Sequence, residues 1–126
     1  MGCGRIAQLV HLNLLTSLSE VELVDLAEPD PDRRSQAGCK AREAQLFSSY
    51  EELLTLPALE AVVICLPPAL HVKAAMAALR AGKHIYLEKP LATNLEEGKE
   101  LIEAWRASGL AGMIGFNLRF NGMYQK

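Results

Sequence analysis

The sequence is short of cysteine, of aromatic residues, of long apolar runs and of any excess of one charge, and each shortage removes a class of protein. Its three cysteines, Cys3, Cys39 and Cys65, are odd in number and show no C-x-x-C spacing, which argues against a disulfide framework and against a zinc site. Reduced thiols are expected, with Cys65 a small buried hydrophobe inside Val62-Val63-Ile64-Cys65-Leu66 and Cys3 without a catalytic role. Aromatic residues make up only 6% and no basic stripe is interleaved with them, while 13 basic and 15 acidic residues give a net charge of -2, so nucleic acid is not an expected partner. No apolar run approaches the roughly 20 residues that span a bilayer, and the first residues lack the charged-then-apolar pattern of a secretion signal. No membrane partner and a cytoplasmic location are expected. What is present is an apolar half of 126 residues, enough for a single domain with a real core, without repeats or low-complexity segments.

Short β-branched runs alternate with alanine- and leucine-rich stretches at helical spacing, the pattern of βαβ units. Arg5 to Leu18 carries Ile6, Leu9, Val10, Leu14 and Leu18 at three- and four-residue intervals and predicts a first helix with that stripe as its apolar face. Val21 to Ala27 reads as a strand that ends in the acidic turn Glu28-Pro29-Asp30-Pro31-Asp32, whose prolines permit a helix start near Asp32. Ser49 and Glu52 form a capping box for a helix from Tyr50 to Leu56, closed by Pro57. Ala61 to Leu66 is apolar without alternation and predicts a strand buried on both faces, as in a parallel sheet covered by helices. A helix from Pro68 to Arg80, ended by Gly82, and a strand from Lys83 to Leu87 follow. Thr93 and Glu96 form a second capping box, opening a helix with Leu95, Ile102 and Trp105 on one side and Gly109 at its end. Met113 to Leu118 is the last expected strand.

The expected fold class is therefore α/β: a Rossmann-like, doubly wound parallel sheet in one domain over residues 1–126, with its site at the strand ends. In the usual strand order, 3-2-1-4-5-6, the first strand is central. Only Met1 stands where that strand should be, so a slot is expected between the strands ending at Ala27 and at Leu66. Residues upstream of Met1, or another segment, would have to fill it.

Gly2-Cys3-Gly4-Arg5-Ile6-Ala7 reads as G-x-G-x-x-A. Gly2 and Gly4 let the backbone turn tightly and approach a pyrophosphate, and the helix beginning at Arg5 and Ile6 supplies free N–H groups and a positive dipole end. Glu28 follows Gly4 by 24 positions at the end of the next strand, where an acid would hold ribose hydroxyls; the plainer reading is a solvated turn carboxylate. Glu28 would repel the extra phosphate of NADP and favours NAD, although Arg33 or Arg34 could swing over that phosphate or serve only as surface charge balance. After the next strand, Pro67 and His71 stand on the ligand edge, His71 as a cofactor or substrate contact or as a cap and packing residue. His84 and His11 read as structural or solvated. Glu88-Lys89-Pro90 closes the following strand, and proline fixes the direction of Lys89, which could donate to a substrate oxygen and stabilise a developing alkoxide or could simply pair with Glu88 at the surface.

Together the glycine turn, Glu28-Pro29-Asp30, Pro67-Pro68-x-x-His71, Gly82-Lys83-His84 leading into Glu88-Lys89-Pro90, and Gly115-Phe116-Asn117-Leu118-Arg119-Phe120 resemble the Gfo/Idh/MocA family of nicotinamide-dependent oxidoreductases. The resemblance runs from Gly2 to Phe120. It implies an N-terminal domain that binds NAD or NADP, in enzymes that move a hydride between the cofactor and a hydroxyl or carbonyl of a sugar, inositol or related molecule. It makes Lys89 the catalytic lysine, near both the nicotinamide and the substrate, with Glu88 as its partner, sets Pro67 and His71 beside the cofactor, and has Asn117 and Arg119 line the cleft toward a second domain. Such a domain carries the family's substrate pocket and proton acceptor, and no position here matches it. Lysine in its charged form donates and cannot accept.

Three readings follow. The chain is the nucleotide-binding part of a working oxidoreductase, whose polyol or sugar substrate needs a second domain; or it is a non-catalytic dinucleotide-binding fragment, inactive on its own; or it is an interaction module, which leaves Glu88-Lys89-Pro90 unexplained. Substrate and association state stay open at this level.

Overall fold

A computed structural model of the chain describes residues 1–23 and 25–123. Five short strands, β1 (Asp25–Ala27), β2 (Gln45–Phe47), β3 (Ala61–Ile64), β4 (His84–Leu87) and β5 (Gly112–Ile114), alternate with helices α2 (Pro31–Lys40), α3 (Tyr50–Leu54), α4 (His71–Arg80) and α5 (Leu95–Ser108). The first helix is a π turn, Ala7–His11, running into α1 (Leu12–Leu15). All pairings are parallel: β1 with β2 in the register Leu26 to Leu46, β3 with β4 at Val62 to Ile85, and β4 with β5 at Tyr86 to Met113. These form two sheets, β1-β2 and β3-β4-β5.

Met1 and Gly2 bridge the two sheets. Gly2 N donates to Ala27 O, Cys65 N to Met1 O, and the Met1 amine to Val63 O, each at 2.8 Å. The order is thus β2-β1-(Met1-Gly2)-β3-β4-β5, with the glycine turn in the central position that a doubly wound sheet reserves for it. The expected slot is real below Met1. There the edges of β1 and β3 face each other across a cleft of 840 Å³, lined by Leu12, Leu26, Leu53, Val62 and Ile85 inside and by Glu20, Glu22 and Glu60 toward its mouth.

The sheet is covered on both sides. Ala27 turns into a core with Leu53, Val62, Ile64, Leu79, Leu87 and Leu101, whereas Leu26 turns into a smaller one with Cys3, Leu12, Ala37 and Ala41. Neighbouring strand residues must part this way because side chains alternate across a strand. In α4, His71, Ala74, Ala75, Ala78 and Leu79 recur at three- and four-residue spacing and form its buried face. Three alanines let that helix sit close to the sheet.

Several boundaries differ from the sequence-based expectation. The stripe Ile6, Leu9, Val10, Leu14 and Leu18 is exposed; the buried residues of the first helix are Ala7, His11 and Leu12. Periodicity alone cannot choose which side faces the sheet, and the wide π turn resets the phase. The strand expected from Val21 to Ala27 is regular only over Asp25–Ala27, with Val24 outside the described residues. β2 was not anticipated, since Gln45-Leu46-Phe47 is too short and too polar to announce a strand. α3 stops at Leu54, and Ser49 accepts from Glu51 N at 3.1 Å rather than from Glu52. The strand before Cys65 ends at Ile64, Pro68–Leu70 is a 3-10 turn ahead of α4, and β4 starts at His84. The cap of α5 is Asn94, accepting from Glu97 N at 2.9 Å, in place of Thr93. Leu95 and Ile102 are exposed, and α5 packs through Gly98 and Leu101 instead. The last strand closes at Ile114, after which Asn117–Phe120 forms a 3-10 turn. No helix among the described residues is long and apolar enough to cross a membrane, and those residues contain no cluster of metal-ligating side chains.

Candidate dinucleotide and catalytic site

The parallel strands deliver their C-terminal ends to one edge, and the residues singled out by sequence gather there. Gly2 has φ +81, and a Cβ on it would lie 2.9 Å from Cys65 O, so neither the conformation nor the space suits a side chain. A Cβ on Gly4 would meet nothing within 4 Å, which leaves the surface above the turn open. The first helical bond of the segment is Gln8 N to Gly4 O, at 3.0 Å. The N–H groups of Arg5 and Ile6 lie ahead of it, without an intrahelical acceptor, at the positive end of the helix. An open turn with free N–H groups at a helix N-terminus is geometry able to receive an anion.

Glu28 is not a solvated turn carboxylate. It is 5% exposed, and its Oε2 accepts from Cys3 N at 2.7 Å while Oε1 accepts from Asp30 N at 3.1 Å. The carboxylate therefore braces the glycine turn from the end of β1, with further lone pairs available to hydroxyl donors. Asp30 caps α2 by accepting from Arg33 N at 2.9 Å, and that backbone bond, before the Arg33 charge, holds its carboxyl below the usual range. Arg33 makes only an exposed contact to Asp30, 3.4 Å long, and Arg34 is tied to the carbonyls of Glu28 and Pro29 at 2.6 and 3.1 Å. Of the two arginines, Arg33 is the one held less firmly near Glu28.

His71 is 1% exposed. Its Nδ1 lies 2.7 Å from Pro90 O and its Nε2 2.8 Å from Leu66 O, so the ring ties the segment after β3 to the segment after β4. Neither ring nitrogen is open to a ligand in this arrangement, and the packing alternative describes its surroundings. Pro67 stands exposed just ahead of the 3-10 turn that leads to this ring.

Lys89 is exposed, and its ammonium has no partner among the described residues. Glu88 does not pair with it. Glu88 Oε1 is 2.7 Å from His11 Nε2, and Oε2 accepts weakly from the Lys89 backbone N at 3.3 Å. His11, read from sequence as structural or solvated, is thus the residue missed at this site. No local signal could have revealed it, because its partner lies 77 positions away. Tyr86 packs edge-on against His11 with ring centroids 5.3 Å apart, and burial first, Glu88 second, push its hydroxyl up from the ordinary phenol value. Gly115 closes the cluster: a Cβ there would lie 2.8 Å from the Tyr86 hydroxyl and 3.2 Å from Glu88 Oε1. Asn117 and Arg119 sit on the exposed turn after β5, beyond this cluster. Cys65, pushed up to about 12 chiefly by burial, is no nucleophile at neutral pH.

Comparison with known proteins bears on the same edge. The family model described as "Oxidoreductase family, NAD-binding Rossmann fold" (GFO_IDH_MocA) matches residues 1–116. The chain is 32% identical over 124 residues to scyllo-inositol 2-dehydrogenase (NAD(+)) of Bacillus subtilis, covering 98% of this chain and 36% of that protein. KijD10, a 3-ketoreductase from Actinomadura kijaniata solved with NADP and TDP-benzene, superposes with a TM-score of 0.83 at 32% identity, covering 91% of this chain and 35% of the other. The WlbA dehydrogenase from Chromobacterium violaceum, solved with NADH and UDP-GlcNAcA, gives a TM-score of 0.89 at 29% identity over 95% of this chain and 34% of that one. The chain spans about a third of the length of the relatives it matches, 36% in the case of the inositol dehydrogenase.

Proposed function

This chain belongs to the Gfo/Idh/MocA family of oxidoreductases and is its NAD(P)-binding Rossmann domain, and on that premise we propose that residues 1–126 hold the dinucleotide and present Lys89 to a sugar, inositol or related polyol bound by a second domain. The observation that carries the reading is the convergence on one edge of an open glycine turn, a buried Glu28 bonded to that turn, and an exposed Lys89 whose ammonium has no partner among the described residues. In it, the N–H groups of Arg5 and Ile6 face the pyrophosphate, and Glu28 accepts from ribose hydroxyls. A bound nicotinamide supplies or accepts the hydride. Lys89 lies against the nicotinamide end of the dinucleotide, donates to the substrate oxygen and steadies its negative charge, electrostatic help worth about 3 kcal/mol for one such donor.

Glu28 favours NAD through repulsion of a 2′-phosphate, and Arg33, free to turn from its long exposed contact, is the residue that would soften that preference. Asn117 and Arg119 face the second domain's side of the cleft. Because Lys89 can donate but not accept, the 126-residue chain binds dinucleotide and turns over nothing alone. Three free cysteines, one of them, Cys39, exposed, are in keeping with the cytoplasmic location proposed from the lack of a spanning run and of a secretion signal. Titration of NADH fluorescence with the chain tests the proposal. Saturable binding weakened at least tenfold by Gly2→Val is expected, and no binding at millimolar NADH would overturn it.

A further inference from the structure

The pair His11–Glu88 is built with more care than a surface ion pair needs. Both side chains are nearly buried, at 11% and 13% exposure, and join the first helix to the end of β4 at 2.7 Å. The helix departs from regular geometry where His11 sits: Leu12 N donates to Ala7 O, five residues back, so Ala7–His11 is a π turn. In an α-helix residue 11 would stand about 40° past residue 7. The wider turn returns His11 toward the line of Ala7, and these two are the buried residues of the segment. Single π turns of this kind occur mostly inside α-helices and frequently at functional sites.

The surroundings leave the pair little freedom. Tyr86 lies against the imidazole, Gly115 admits both the Tyr86 hydroxyl and the Glu88 carboxylate, and Cys65, just past the end of β3, is close enough to sense Glu88. The second carboxylate oxygen reaches the backbone N of Lys89, at 3.3 Å. A carboxylate gripped on one oxygen by the imidazole and on the other by the next amide has a fixed orientation, and with it the peptide that launches the Lys89 side chain.

We propose that His11 is a positioning residue: carried to the strand edge by the π turn, it anchors Glu88 and thereby sets the aim of Lys89 at the dinucleotide site. This rests on the dinucleotide reading above. His11 touches neither the phosphate cradle nor Lys89 directly, so its influence passes through Glu88.

The test compares His11→Gln, whose amide nitrogen can take the place of Nε2, with His11→Asn, whose shorter amide cannot reach Glu88, in the 126-residue chain. NADH affinity by fluorescence and the amide resonances of Lys89 and Gly115 by NMR are read for each, with melting temperature as the control. Expected are affinity within threefold of the parent for His11→Gln and a loss of about tenfold for His11→Asn, with the Lys89 amide shifted only in His11→Asn. Equal affinity and unmoved Lys89 and Gly115 resonances in His11→Asn would overturn the proposal, as would equal losses in both variants. If the parent chain itself binds no NADH, the dinucleotide reading fails, and the resonances alone decide: movement in His11→Asn without movement in His11→Gln upholds positioning, and any other pattern overturns it. Should His11→Asn not fold, His11→Leu fills the same space without a polar atom for Glu88, with the same resonances expected to move and their constancy counting against the proposal.

Discussion

Acetylating the amine of Met1 should make the chain more stable, and increasingly so as the pH falls. Met1 is buried between the two sheets, and its amine donates to Val63 O at 2.8 Å from a position where a strand would carry an uncharged amide. Burial, ahead of the opposing pull of Cys65, Cys3 and Glu28, lowers its pKa below the ordinary 8.0. The folded chain therefore holds fewer protons at this group than the unfolded chain does, and below about pH 8 folding must expel one. Stability from this source rises with pH toward 8 and is lost on acidification down to the folded pKa. Below the ordinary 8.0 and above the folded value the slope approaches about 1.4 kcal/mol per pH unit, so the gap between acetylated and free chains widens as the pH falls from 8 toward 6. An acetyl group abolishes that slope, occupies the top of the cleft below Met1, and turns its carbonyl toward β1, where the N–H of Ala27 points into the same gap as the Ala27 carbonyl that accepts from Gly2. Urea unfolding of free and acetylated chains at pH 6, 7, 8 and 9 measures the difference, because slopes common to both chains cancel. Curves that stay parallel across the range would refute the claim that burial in the sheet lowers the pKa of this amine.

Three further outcomes are expected. Leu101→Ala, at a fully buried position between α5 and the sheet, should cost about 2–5 kcal/mol in urea unfolding, and a cost under 1 kcal/mol would mean that α5 is not docked as described. His71→Leu removes the ring N–H that the carbonyls of Leu66 and Pro90 face and should cost about 1–3 kcal/mol for the stranded group; an unchanged melting temperature would show that water replaces the ring at no cost. Glu28→Gln keeps an acceptor for Cys3 N but removes the charge, so the ratio of NADPH to NADH affinity should rise several-fold in parallel titrations. An unchanged ratio would exclude Glu28 as the discriminating residue.

Much of the site was legible because its parts are local. A glycine turn, an acid at the end of the next strand and Glu-Lys-Pro after another each announce a strand end, and parallel strands send all such ends to one edge. For His71 the sequence left a cofactor contact and a packing role open, and burial with two carbonyl neighbours, properties of the packed loops, favours the packing role. His11 carried no signal at all: helical spacing pointed to Ile6, Leu9 and Val10 as the inner face, whereas packing turned the face of Ala7 and His11 inward.

The sequence by itself determined the alternation of strands and helices, the parallel sheet and the edge where ligands would bind, because hydrophobic period and turn chemistry act within a few residues. Tertiary structure decided which helix faces turn inward, how far Met1 and Gly2 bridge β1 and β3, and that Glu88 answers to His11 rather than to its neighbour Lys89. Those outcomes depend on the space left between elements distant in the chain, and no local rule measures that space.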